Sequence, residues 1–138
     1  MNTYAWEDLR VGMSHGFDAV VSAEMMRRFV EDTGDTSPLH VDAGFAQSRG
    51  FAAPVVHGML SASFYSTLVG VHLPGRNAVL HGIDVDFHRP VYVGLPLRVR
   101  GEIVQLVESC RRVEIKASIV AASGELLSKA KIRVGLSA

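Results

Sequence analysis

The chain has 138 residues, of which 48% are hydrophobic and 20% charged, a balance that supports one buried core and excludes a disordered chain. Its 14 basic and 14 acidic side chains cancel, which excludes the broad positive field of a nucleic-acid-binding protein. Cys110 stands alone, so a disulfide or a cysteine metal cluster within the chain is excluded, and a reducing, cytoplasmic setting is expected.

In chain order, the opening MNTYAWEDLR lacks the basic start and apolar run of a secretory signal. Nowhere does the sequence hold the run of about 18 apolar residues that a membrane span requires. A first strand is expected over 14–21. Ser22 then supplies a side-chain oxygen to cap a helix whose first turn carries Glu24. Met25, Met26, Phe29 and Val30 recur at helical spacing, and Thr33-Gly34 ends that stripe. The loop DTSPLH follows, with Pro38 holding Ser37 extended and keeping the helix from resuming.

A short helical stretch is expected over 42–48, and Gly50 and Pro54 then interrupt the chain. The segment GMLSASFYSTLV, residues 58–69, is apolar or small on nearly every side, which predicts a helix wrapped by other structure. Pro74-Gly75 closes it with a turn. From Ala78 onward, β-branched residues alternate with polar ones in AVLHGIDVDF, LRVRGEIVQLV, RRVEIKASIVA and ELLSKAKIRVGL, which predicts four strands. The gaps between them are short enough for antiparallel neighbours. With the first strand, this makes an α+β fold: a five-stranded antiparallel sheet that curls around one buried helix.

The chemistry concentrates in GDTSPLH, residues 34–40, and PVVHGM, residues 54–59, which bring two loops to one helix start. A carboxylate and an imidazole five residues apart, Asp35 and His40, can face one water molecule, as hydration or dehydration of an alkene requires. Negative charge then develops on a carbonyl oxygen. A backbone N–H at a helix N-terminus stabilises such charge, and Gly58 has no side chain to block the approach. His57 is expected to cap or pack beneath the helix start and is left out of the catalytic set. Met25, Met26, Met59 and Phe64 read as core, with Met59 and Phe64 also bordering a ligand pocket. His15, His72, His81 and His88 are scattered without metal-ligand spacing, and no metal is expected. Arg98, Arg100, Arg111 and Arg112 fit a solvated sheet surface, whereas Arg76 and Arg89 are candidates for contact with ligand phosphates.

GDTSPLH followed by PVVHGM resembles the hydratase motif of the MaoC-like, (R)-specific enoyl-CoA hydratases, and DFHRPVYVG, residues 86–94, is similar to a strand-ending segment of that family. The resemblance covers nearly the whole chain. It implies that residues 1–138 form a single hot-dog domain that pairs as a homodimer, with the acyl chain beside the buried helix and the thioester near the dimer interface. It implies Asp35 and His40 as the catalytic pair, the Gly58 amide as the oxyanion donor, and Ser37, Met59 and Ser66 as substrate-binding residues. The implied substrate is an acyl-CoA or acyl-carrier-protein thioester, with no cofactor, no nucleic acid and no membrane. One position departs from the pattern: the family usually has Asn where this chain has Ser37, and a hydroxyl makes fewer hydrogen bonds than an amide.

Two other functions suit the same layout. A thioesterase would need a carboxylate on the buried helix, and residues 58–69 hold none. A non-catalytic thioester-binding module is the other, and the Ser37 exchange is its motive.

Overall fold

The computed structural model describes residues 1–137. Strand β1 (Ser14–Ala19) leads into helix α1 (Ala23–Thr33), the short helices α2 (Pro38–Val41) and α3 (Ala43–Ser48), and then α4 (Gly58–Thr67). Four strands follow: β2 (Ala78–Phe87), β3 (Leu97–Val107), β4 (Arg112–Ala121) and β5 (Leu126–Leu136). All five strands form one antiparallel sheet in the order β1-β3-β4-β5-β2.

Period-two alternation decides which face of that sheet is dry. Leu97, Val99, Ile103, Val113, Ile115, Ile119, Leu127, Ile132 and Val134 turn inward and are almost fully buried. The residues between them, among them Arg98, Arg100, Glu102 and Lys131, stay in solvent. Register shifts at Leu80/Gly82, Ile103/Gln105 and Ile119/Val120 bend the strands, so the sheet curls over α4. At Gly101 an added Cβ would lie 2.6 Å from Leu68 Cδ2. The missing side chain therefore lets the helix end settle against the sheet. This is the hot-dog arrangement, the fold class that the sequence predicts.

Helix α4 differs from the expectation in two ways. Its α-helical part ends at Thr67, and residues Leu68–His72 continue as one π-helical turn. Nor is it wrapped on all sides. Leu60, Ser61, Ala62 and Tyr65 are buried against the sheet, but Met59 is 69% exposed and Ser63 and Ser66, on the same face, are also exposed. The reading of Met59 as core is thus corrected: it lies opposite the sheet, and one curled sheet covers only one side of a helix. Met26 is buried, and Met25 and Phe64 pack half-buried against the core.

His72, at the end of the π-helical turn, stacks on Phe17 with ring centroids 4.9 Å apart. Burial, reinforced by His15 and the N-terminal amine, holds its pKa below the ordinary imidazole value of 6.5. The unfolded chain therefore binds this proton more readily than the folded one. The associated stability is complete above pH 6.5 and is lost as pH falls through the lowered folded value. Thermal melts on either side of that pH should show a smaller acid-side fall in Tm for His72→Gln than for the natural chain.

Among the described residues, no helix is long and apolar enough to cross a membrane.

Candidate active site

The site begins where α1 stops. Ser22 Oγ accepts the Met25 N–H at 3.1 Å to start that helix, and Gly34 ends it in the left-handed region at φ 76°, donating its N–H to Val30 O at 2.8 Å. The chain is thereby turned towards α4, with Asp35 first on the new course. Asp35 Oδ1 accepts the Ser37 backbone N–H at 3.2 Å, an Asx turn that fixes the carboxylate. Ser37 itself is exposed, and its hydroxyl caps nothing. The orienting bond comes from its backbone, which any residue except proline would supply.

His40 is not on the loop where the sequence reading placed it. Pro38 opens helix α2, and His40 lies on that short helix. A proline discourages helix in the residue before it, but its own fixed φ suits the first helical position. Pro38 therefore stops one helix and starts the next.

His40 Nδ1–H donates to Val55 O at 2.6 Å. A carbonyl only accepts, so the proton of a neutral ring must sit on Nδ1, and Nε2 then presents a bare lone pair. His57, 1% exposed, donates its Nε2–H to the Asp35 carbonyl at 3.1 Å. Its ring stacks on that of His40 with centroids 4.0 Å apart and planes 28° from parallel, and Phe29 covers it at 4.7 Å. The His57 Nδ1 is buried with no protein partner. His57 fills the N-cap position of α4 without making a side-chain cap bond. It ties the two halves of the site together, and the sequence reading missed this. The one signal available was its place in the HGM segment beside the Asp–His loop.

One carboxylate or ring-nitrogen atom from each of Asp35, His40 and His57 lies within 4.8 Å of the others. A single water with two hydrogen bonds of about 2.8 Å spans such a gap. Two imidazoles and a carboxylate are also a donor set that transition metals accept. Stacked, nearly parallel rings, however, direct their in-plane lone pairs side by side, whereas a metal needs them to converge.

Beside it opens a cavity of about 300 Å³. Phe51, Val55, Val56, Phe87, Val91 and Leu127 give it apolar walls, and the polar groups on it are His40, Ser61, His88, Arg89 and Ser128. Gly58 lines it as well. As the first residue of α4 it has an N–H with no intrahelical partner, free for a ligand oxygen. A Cβ there would come within 3.2 Å of the Phe87 ring, so glycine keeps the amide reachable. Ser37, Met59 and Ser66, the predicted substrate contacts, are all exposed and outside the cavity wall. Of the two arginines proposed for phosphate contact, Arg89 is on the wall and Arg76 is not.

Residues 10–124 match the model of the MaoC like domain. The chain is 32% identical over 129 residues to an (R)-specific enoyl-CoA hydratase of Aeromonas caviae, covering 89% of this chain and 96% of that protein. It is 31% identical over 129 residues to a 3-hydroxybutyryl-CoA dehydratase of Methylorubrum extorquens, covering 90% of this chain and 82% of the relative. The solved structure of the (R)-hydratase from A. caviae involved in PHA biosynthesis superposes with a TM-score of 0.89 at 32% identity, over 94% of this chain and 98% of that one. A match that spans most of the chain and the shared hot-dog architecture agree, and the chain belongs to the MaoC-like dehydratase family.

Proposed function

We propose that the protein adds water to a trans-2-enoyl thioester to give the (R)-3-hydroxyacyl product, or runs the reverse dehydration, with Asp35 and His40 as the acid–base pair. The observation that carries this reading is that a carboxylate oxygen and an imidazole nitrogen lie within 4.8 Å of each other, at the mouth of the α4 helix. Relatives named hydratase and dehydratase support the reaction type. One group enters the step as the free base and the other carries a proton. The first takes a proton from a water held between them as the water oxygen attacks the β-carbon, and the second gives its proton to the α-carbon. Transfer of the captured proton from the first to the second restores the pair, and dehydration runs the same transfers in reverse. His40 takes part through Nε2, because Nδ1 is committed to Val55. The thioester oxygen, which gains enolate charge, faces the Gly58 amide and the positive end of the α4 dipole.

The substrate reading is an acyl-CoA or acyl-carrier-protein thioester, with Arg89 at the cavity for its phosphates. The working form is a homodimer of single domains comprising residues 1–138. Strand β2 is an unpaired sheet edge carrying Val79 and Leu80, 43% and 45% exposed, and Met59 stands out from the open face of α4 at 69% exposure.

Purified protein is expected to consume crotonyl-CoA, seen as loss of the enoyl absorbance without release of free thiol, and to scatter light as a dimer at micromolar concentration. Thiol release would point to a thioesterase. Unchanged absorbance would leave a binding module.

A further inference from the structure

Ser61 and Ser128 lie on the cavity wall, yet neither the acid–base pair nor the oxyanion donor uses them. Each is 3% exposed. Ser61, one helical turn beyond Gly58, donates its hydroxyl to Gly58 O at 2.9 Å, which leaves its oxygen lone pairs free as acceptors. Ser128, on β5, lies 2.8 Å from the Tyr65 hydroxyl, and Tyr65 is 1% exposed in the core.

Burial settles which of that pair donates. Ser128 is the hydrogen-bond partner found for the Tyr65 hydroxyl among the described residues. If Ser128 donated, the phenol proton would be sealed in the core with no acceptor. With Tyr65 as donor, that proton is satisfied. The proton left over belongs to Ser128, which faces the cavity. The wall therefore presents one unused O–H donor and one hydroxyl acceptor among apolar side chains. A ligand hydroxyl placed between them would accept from Ser128 and donate to Ser61. A methylene chain satisfies neither, and it would also displace any water that did.

We infer that Ser128 and Ser61 select short acyl thioesters bearing a hydroxyl at the far end of the acyl chain, distinct from the 3-hydroxyl that the reaction itself makes or removes, over plain alkyl thioesters of the same length. The size class follows from the cavity of about 300 Å³, at the small end for a ligand site. The inference rests on the thioester reading given above, but it concerns binding rather than turnover, and the two can fail separately.

The test uses saturated CoA thioesters in isosteric pairs, in which a terminal hydroxyl replaces a terminal methyl: pentanoyl against ω-hydroxybutanoyl, hexanoyl against ω-hydroxypentanoyl, and heptanoyl against ω-hydroxyhexanoyl. Calorimetric Kd values for the natural chain should favour the hydroxylated member by about tenfold at the length that reaches Ser128. Ser128→Val should reverse that preference, Ser61→Ala should reduce it, and Ser128→Thr, which keeps the hydroxyl, should retain it. Ser128→Ala serves if the valine variant does not fold. Equal or tighter binding of the alkyl member at every length would overturn the inference, as would a preference that survives both Ser128→Val and Ser128→Ala. Hydration of crotonyl-CoA without a hydroxyl preference would remove this inference alone. A hydroxyl preference without hydration would remove the catalytic reading and leave the selectivity. Absence of binding by every thioester would remove both.

Discussion

Asp35→Asn and His40→Ala are each expected to lower kcat for crotonyl-CoA hydration by about 10²–10⁴-fold, the usual contribution of a positioned acid or base. Asn keeps the shape of Asp35 and can still accept the Ser37 N–H, but it takes no proton from water. His40→Ala removes the only imidazole nitrogen that the mechanism uses. The double variant should be scarcely slower than the worse single one, because groups sharing one water act as a unit. Stability separates loss of chemistry from loss of fold. Asp35 is exposed and its replacement should move unfolding by less than about 0.5 kcal/mol. Removing His40 gives up the bond to Val55 O, worth about 1 kcal/mol. Stopped assays and thermal melts on the same preparations check both quantities. An Asp35→Asn protein that hydrates at the natural rate would end the acid–base assignment.

His57→Ala is expected to be the next most damaging change, with kcat reduced by about 10²-fold although the ring is not assigned a proton transfer. His57 holds the Asp35 carbonyl at 3.1 Å and supports the His40 ring at 4.0 Å, so its loss frees both partners at once. The side chain is also among the largest that are fully buried, and truncation should cost about 2–4 kcal/mol of stability through the cavity left behind. His57→Gln offers an amide N–H in place of Nε2–H and fills more of the space. It should recover part of kcat without recovering the stack. A purely structural role predicts that Tm falls in both variants while kcat per folded molecule stays constant. A positioning role predicts that kcat falls while the KM for crotonyl-CoA changes little.

The Ser37 exchange has a physical resolution at the level of the backbone. An Asn side chain offers more hydrogen bonds than a serine hydroxyl, but the bond that orients Asp35 in this chain comes from the Ser37 main-chain N–H. Asp35 therefore keeps its orienting bond despite the exchange.

What the sequence alone determined is local or periodic. Alternation of period two placed β2 and β3 at the bounds the structure gives, because an inward-facing residue at every second position is a property of the strand itself. Ser22 and Gly34 marked the ends of α1 for an equally local reason, an oxygen for an orphan N–H and a residue free to turn left-handed. Asp35 and His40 were legible as a pair because five residues of one stiff segment separate them. Pro38 misled the reading of that same segment: a proline carries both a stop and a start signal, and only the tertiary setting selects between them. The partners of the pair were invisible for a different reason. His57 meets Asp35 from 22 residues away, and Tyr65 meets Ser128 from 63. The first exists only after the chain has folded back to the start of α4, and the second only after the sheet has curled over that helix. The same closure decided which side of α4 is dry and therefore left Met59 outside, since hydrophobicity states that a side chain is better buried but not whether a surface is there to bury it.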